Sequence, residues 1–323
     1  MLAVRFGSHG GPEVLRLDDV PAPRDPVRDE LLVRVTASSV NGTDLGLRRG
    51  DLRVATWGRL PFVPGFDVAG EVLRCGPTVT AFAPGDRVMA LLGHGGGGQA
   101  EQVLLRQERA ARVPASCSYE EAAALPLAGL TALQALHGKA GLGGRRAPAR
   151  VLVIGAAGGI GSFAVQLAKL AGAHVTGVAS GGKLPFVAGL GADAVVDYRT
   201  KDVAALGERW DVVLDAPGRH RFDRLRDVLT EDGILVSTRP ITPDALYALT
   251  PASLRGRGQR FAAVMTRARS QDLTHLAALV DSGRLTSPVD RSYPMAAAAA
   301  AHQHAEGPAT GKVVIRIGDD PQQ

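Results

Sequence analysis

The segment Val151-Leu-Val-Ile-Gly155-Ala-Ala-Gly158-Gly159-Ile-Gly161-Ser162 constrains the fold more than any other stretch of the chain. Four apolar residues suited to a buried strand run into glycines at 155, 158 and 161, and residues 162–170 then read as an amphipathic helix. Strand, glycine turn and helix in that order are the context a dinucleotide-binding loop requires. Glycine permits the tight turn and lets backbone N–H groups approach a pyrophosphate. The helix N-terminus then presents the positive end of its dipole to the anion. Gly155, Ala157, Gly158, Gly159, Ile160 and Gly161 are therefore the expected cofactor cradle. The spacing is G-x-x-G-x-x-G, where the commoner fingerprint is G-x-G-x-x-G. A glycine-rich turn without a ligand is the competing reading.

The pattern continues downstream. Residues 175–179, 194–197, 211–214 and 234–237 read as further short apolar strands, and 184–190 and 222–229 as helices between them. Apolar strands separated by helices mean a parallel sheet covered on both faces. Upstream, residues 31–37, 67–73 and 86–92 are short strands with Pro-Gly turns before the later two, as expected of a small, partly closed β-barrel. Ser118 and Glu121 form a capping box that opens an Ala-rich helix. A second helical stretch follows Pro126, and residues 138–148 read as a connector. An Ala-rich helix from 295 and a charged strand at 312–317 close the chain. The expected fold class is α/β, a doubly wound parallel sheet joined to a β-barrel domain.

The end of the second strand bears on which nucleotide fits. An NAD site places an acid there for the ribose 2′-OH. Here the chain reads Val178-Ala179-Ser180-Gly181-Gly182-Lys183, with no acid until Asp193. A hydroxyl and a cation suit a 2′-phosphate, so Ser180 and Lys183 favour NADP(H). For Lys183 alone, an exposed lysine at a helix start is the competing reading.

Composition removes other classes. A chain of 323 residues suggests two domains. Lys and Arg number 37 against 32 acids, a net charge of +5 without a basic block, so nucleic acid is not an expected partner. Two cysteines, Cys75 and Cys117, build no disulfide framework, which fits a cytoplasmic protein. The first twenty residues mix charges with short apolar runs and show no signal peptide. No stretch approaches the roughly 18 apolar residues of a membrane span.

Taken together, several motifs resemble the medium-chain dehydrogenase/reductase superfamily and its zinc-independent, quinone oxidoreductase-like (zeta-crystallin-like) branch. Ser39-Val-Asn41-Gly-Thr-Asp44 is similar to the family's S-V-N-x-x-D. Pro64-Gly-Phe-Asp67-Val-Ala-Gly70-Glu-Val is similar to its P-G-x-D-x-x-G-x-V. Leu125-Pro-Leu-Ala-Gly129-Leu-Thr131-Ala, Asp197-Tyr198 and Gly311-Lys312-Val-Val are similar to later segments. The resemblance implies a split GroES-like catalytic domain over 1–122 and 289–323. The Rossmann NADP-binding domain is inserted at 123–288, with the active site between the two. It also implies a homodimer.

Zinc-dependent relatives hold catalytic zinc with Cys, His and Cys, as the ion requires N and S ligands. At the matching positions stand Asn41, Phe66 and Ala128. No metal is expected. Hydride transfer from NADPH to a small-molecule quinone or α,β-unsaturated carbonyl is the expected reaction. A specialised biosynthetic enoyl reductase and a cofactor-binding protein with little catalysis are the alternatives.

The resemblance also assigns residues. Asn41 replaces a zinc ligand and can donate to a substrate carbonyl, or it can fix the turn before Asp44. Thr131 is similar to a residue at the nicotinamide end, or it back-bonds within its helix. Tyr198 is similar to one near the adenosine phosphate, or it packs at the sheet edge. Lys312 is counted with the cofactor residues. The run Gly93-His94-Gly95-Gly96-Gly97-Gly98-Gln99 reads as a mobile loop suited to a lid, from which His94 can supply a proton. An exposed loop histidine is its plainer reading. Some members carry a Tyr after V-N-x-x-D. Residues 45–60 here hold Trp57 and no Tyr, which weakens an enoyl-thioester reductase reading.

Overall fold

The computed structural model describes residues 1–52, 60–144, 148–239, 258–307 and 309–318. Trp57 and the Arg145-Arg146 pair lie outside the described residues. The chain divides into two compact units, Met1–Leu130 with Ala268–Gln323, and Thr131–Arg267. The divisions fall at 130/131 and 267/268, against expected limits of 122/123 and 288/289.

In the first unit, β1 (Leu2–Phe6) and β2 (Leu15–Asp19) form an antiparallel hairpin. A larger sheet is built from β3 (Glu30–Val40), β4 (Asp67–Cys75), β5 (Arg87–Leu91), β6 (Gln102–Arg106) and β7 (Ala110–Arg112). The tail adds β14 (Val289–Pro294) and β15 (Lys312–Arg316). Among the described residues the order is β14-β15-β3-β4-β5-β7, with β6 also paired to β3. The long central β3 is buried along most of its length, so it carries neighbours on both sides. Helix α1 (Gly42–Arg49) follows β3 directly and ends at Gly50, whose φ of 91° closes the helix in the left-handed region.

Ser118 caps α2 (Tyr119–Ala124) as expected. Its hydroxyl accepts the Glu121 N–H while Glu121 accepts the Ser118 N–H. Helix α3 (Pro126–Leu133) follows.

The second unit holds β8 (Arg150–Ile154), α4 (Gly159–Leu170), β9 (His174–Ala179), α5 (Leu184–Gly189), β10 (Ala194–Asp197), β11 (Trp210–Asp215), α6 (Phe222–Leu225), β12 (Leu229–Ser237) and β13 (Arg260–Ala263). All pairings are parallel, in the order β10-β9-β8-β11-β12-β13. This is the 3-2-1-4-5-6 order of a doubly wound nucleotide-binding sheet. Its core packs Leu152, Val178, Trp210, Val213, Phe222, Leu235 and Phe261 together. Apolar burial contributes about 25 cal/mol per Å², so each aromatic residue contributes more than any one aliphatic neighbour.

The sequence pattern differs from the structure at 222–229. The helix stops at Leu225 and Arg226–Val228 is a 3-10 turn, so Leu229 already opens β12. Gln259 explains the early stop, because its amide donates to the carbonyls of Arg226 (2.8 Å) and Leu229 (3.1 Å). The expected connector 138–148 begins inside a π-helical stretch, Gln134–Lys139. Helices α7 (Ser270–Asp281) and α8 (Ala298–Glu306) complete the first unit.

Candidate cofactor and active site

The glycine loop follows β8 at the point where the strand order reverses, between β8 and β11. Gly155 has φ +73°, and a Cβ there would lie 2.8 Å from the Pro217 ring. Gly161 is held tighter still, with a Cβ site 2.1 Å from the Gly155 carbonyl oxygen. Helix α4 thus packs against the end of β8 at backbone distance. The helix begins at Gly159, earlier than the expected 162, with Gly158 at its N-cap and no side chain capping it. Helices leave their first N–H groups without internal acceptors. Gly158 is exposed and Gly159 and Ile160 are partly so, while Ala157 is buried. An uncapped, accessible helix start in a cradle that a Cβ would fill suits a pyrophosphate.

Ser180, Lys183 and Tyr198 come together. Asp197 pairs with Ala179 across β10 and β9, so the residues just beyond, Tyr198 and Ser180, emerge side by side at the carboxyl ends of the strands. The Tyr198 N–H donates to the Ala179 carbonyl at 3.2 Å. Ser180 starts the 3-10 turn Gly181–Lys183, and Tyr198 is 56% exposed. The Asp197 carboxylate borders this patch, 2.6 Å from where a Cβ on Gly181 would stand. Thr131 is buried in the same unit, its hydroxyl 2.6 Å from that of Thr266.

The first unit holds a buried polar cluster. Asn41 follows β3 as the N-cap of α1, and its backbone N–H donates to Asp44 at 2.9 Å. Its side-chain Nδ2 donates to Asp67 Oδ2 at 2.8 Å, and the Lys312 ammonium donates to its Oδ1. Asp67 is the hub. Oδ2 also accepts from Ser39 Oγ at 2.6 Å and lies 3.4 Å from Lys312 Nζ, while Oδ1 accepts the Leu127 N–H at the start of α3.

Asp44 Oδ1 accepts the Gly65 N–H at 2.7 Å. Burial pushes the Asp44 carboxyl up to about 7, against the pull of the Gly65 and Asn41 N–H groups. Burial also pulls the Lys312 ammonium below its ordinary range, opposed by the Asp67 and Asp44 carboxylates. Asn41 thus both opens α1, as the turn reading expected, and joins Lys312. Lys312 belongs to this unit and to this cluster. Asp44 and Asp67 stand out in the sequence only as motif letters, and nothing local there marks their burial.

The glycine run, which its composition marks as an unpaired loop, is hydrogen-bonded to a neighbouring segment over its second half. Gly97, Gly98 and Gln99 donate their N–H groups to Val63, Gly65 and Pro64, each at 2.9 Å, and Leu92 donates to Phe66 at 2.7 Å. The glycines serve close approach. A Cβ on Gly96 would meet the Val63 carbonyl at 2.7 Å, and one on Gly98 the Val68 side chain at 2.8 Å. His94 is exposed. At the end of the run Gln99 is buried with its Nε2 3.2 Å from His302 Nε2. The structure therefore brings Asn41 and Lys312 together, and separately Ser180, Lys183 and Tyr198 on the unit that carries the glycine loop.

A glycine cradle at the reversal point of this sheet defines a dinucleotide-binding protein of the doubly wound class. Comparison with known families agrees. The alcohol dehydrogenase GroES-like domain matches residues 27–115, and a family described as zinc-binding dehydrogenase matches 190–315. The chain is 36% identical to a chloroplast envelope quinone oxidoreductase homolog of Arabidopsis thaliana, over 98% of both chains. It is 32% identical to an NADPH-dependent alkenal/one oxidoreductase of the same plant, covering 98% of this chain and 79% of that one. The solved quinone oxidoreductase of Coxiella burnetii superposes with a TM-score of 0.90 at 31% identity, over 98% of this chain and 99% of that one. The chain belongs to the medium-chain dehydrogenase/reductase superfamily, in its quinone oxidoreductase-like branch.

Proposed function

We propose that this protein is an NADPH-dependent oxidoreductase that reduces quinones or α,β-unsaturated carbonyls without zinc. The observation that carries the cofactor assignment is the patch of Ser180, Lys183 and Tyr198 beside an uncapped glycine-lined helix start. The relatives described above, a quinone oxidoreductase homolog and an NADPH-dependent alkenal/one oxidoreductase, support the acceptor class.

NADPH, when bound, supplies the hydride. The N–H groups at the start of α4 hold its pyrophosphate, and Ser180 and Lys183 receive the 2′-phosphate. Thr131 lies toward the nicotinamide end. Asn41 donates a hydrogen bond to the acceptor carbonyl and stabilises the negative charge that develops there. His94 is the candidate source of the proton that completes the reduction.

Zinc does not fit the residues present. At the positions that would supply ligands stand a carboxamide already bonded to Asp67 and Lys312, a phenyl ring and a methyl group, from Asn41, Phe66 and Ala128. Dialysis against a strong chelator is expected to leave turnover unchanged. Stoichiometric zinc whose removal abolishes activity would overturn this part.

A cytoplasmic homodimer completes the reading, supported by two free cysteines and by the family resemblance. Among the described residues no helix is long and apolar enough to cross a membrane. Sedimentation gives the oligomeric state. The decisive experiment follows NADPH consumption with a panel of quinones and enones. Cofactor binding without consumption of NADPH with any acceptor would sink the enzymatic reading, and turnover confined to one elaborate enoyl substrate would favour a biosynthetic reductase.

A further inference from the structure

Sheet register places a lysine opposite the residue proposed to meet the substrate. Val313 pairs with Val40 and Val314 with Ser39, so one step along the antiparallel ladder sets Lys312 across from Asn41. On the other side of β3, Ser39 pairs with Asp67. Three neighbouring strands thus deliver Lys312, Asn41 and Asp67 to one end of the sheet. Gly311 makes the approach of β15 possible, since its φ is +82° and a Cβ would lie 2.5 Å from the Pro288 carbonyl. All three side chains are buried, at 3%, 6% and 0% exposure.

The chemistry of the three groups dictates the orientation of the middle one. An ammonium has only donors and a carboxylate only acceptors. Lys312 Nζ must therefore face Oδ1 of the Asn41 amide, and Asp67 Oδ2 must face Nδ2, as observed. An isolated carboxamide flips with little penalty. This one has a single way to sit. One Nδ2 hydrogen goes to Asp67, and the other approaches the Ser39 carbonyl at 3.5 Å, beyond ordinary hydrogen-bond length. A cation on Oδ1 draws electron density toward the oxygen and strengthens that second N–H as a donor.

We propose that Lys312, anchored by Asp67, is a positioning residue that orients and polarises the Asn41 carboxamide toward the oxygen of the acceptor carbonyl. The proposal rests on the reductase reading given above. It departs from the family resemblance, which counts Lys312 among residues that contact the cofactor.

The test compares Lys312→Met with Lys312→Gln, each also in an Asn41→Ala background. Lys312→Met removes the donor to Oδ1 and is expected to lower kcat on the order of tenfold, less than the roughly 10²–10³ for losing a transition-state donor outright, because the Asn41 amide remains. The NADPH dissociation constant, read by fluorescence titration, stays within about twofold. Lys312→Gln keeps a neutral donor and recovers part of the loss. With Asn41 already replaced, removing Lys312 lowers kcat no further, because the lysine acts through that amide. A second multiplicative loss in the Asn41→Ala background, unchanged kcat in Lys312→Met, or NADPH binding in Lys312→Met weakened well beyond twofold would each overturn the proposal. Asn-selective ¹⁵N labelling gives a readout independent of turnover, the Asn41 side-chain signals being those missing from Asn41→Ala. They must move in both lysine variants, which melting curves confirm as folded. Signals that stay put refute the orientation whether or not any quinone is reduced. A wild-type enzyme without turnover refutes the reductase reading alone.

Discussion

Gly161 sits against Gly155, with no room for a methyl group between the helix and the end of the strand. Gly161→Ala would set a Cβ 2.1 Å from the Gly155 carbonyl oxygen, and the contact is backbone on both sides, so neither can swing aside. The helix must shift off the strand. The expected outcome is destabilisation of about 1–3 kcal/mol, the usual scale of overpacking. It is accompanied by a loss of NADPH affinity larger than stability alone explains. Chemical denaturation and cofactor titration measure the two effects. A stable variant with intact affinity would show that the cradle does not depend on this contact.

Lys183 should decide the preference between the two nicotinamide cofactors. One or two charge-assisted hydrogen bonds to a 2′-phosphate are worth about 1–3 kcal/mol. Lys183→Ala is expected to narrow the gap between NADPH and NADH by weakening NADPH and leaving NADH nearly untouched. The loss shrinks as salt is added, since a partly exposed ionic contact is screened. The Asp197 carboxylate borders the same turn, so Asp197→Asn should tighten NADPH modestly. Dissociation constants for both cofactors at two salt concentrations settle the matter. Equal weakening of NADPH and NADH would remove Lys183 from 2′-phosphate recognition.

Strand and turn chemistry near the glycine loop is local, and there the sequence is legible. The strand expected at 194–197 is found as Ala194–Asp197, and the capping box of Ser118 and Glu121 is formed. Helix Ser270–Asp281 is absent from the expected elements, although Leu273, Leu276, Ala277 and Val280 carry its signal at i, i+3, i+4 and i+7. The start of α1 is harder to read, because Gly42 and Gly46 are poor helix formers, although the Asn41 and Asp44 bond that opens it is local, three residues apart. The cluster around Asp67 is not legible from neighbours in the chain. Its partners stand 26 residues away at Asn41, 60 at Leu127 and 245 at Lys312, and only sheet register joins them. The glycine run misleads for a similar reason. Composition reports the freedom of an unpaired loop, whereas here residues 63–65 accept from its last three residues and Phe66 from Leu92 just before it.

The glycine run should therefore respond position by position. A methyl group on Gly95 would find nothing within 4 Å, and the residue carries no positive φ, so Gly95→Ala should be neutral within about 0.5 kcal/mol. Gly98 is the opposite case. Its Cβ would meet the Val68 side chain at 2.8 Å and the Gly65 carbonyl at 2.9 Å, so Gly98→Ala should cost about 1–3 kcal/mol. A lid would give the reverse pattern, with kcat and KM moving together at both positions and melting temperatures unchanged. Thermal melts alongside steady-state rates separate the two. Unchanged melting of Gly98→Ala would revive the lid.

Two buried groups of the first unit should tilt stability with pH in opposite directions. Burial, reinforced by nearby Arg48, holds His302 down to about 3 against an ordinary 6.5. Below pH 6.5 the unfolded chain binds a proton that native His302 refuses. The stability from this group is thus present above 6.5 and is lost as pH falls toward 3, by about 2 kcal/mol at pH 5. Asp44, raised by burial to about 7 from 3.8, does the reverse. Between those values the native carboxyl keeps a proton that the unfolded one releases. Its contribution is full below pH 3.8 and is lost as pH rises to about 7, again by about 2 kcal/mol from pH 5 to 7. In the wild type the two slopes offset each other over that interval. His302→Gln should leave a protein whose stability rises on acidification from pH 7 to 5, and Asp44→Asn one whose stability falls. Urea denaturation at pH 5, 6 and 7 reads both slopes, and parallel slopes in the two variants would contradict the opposed titrations.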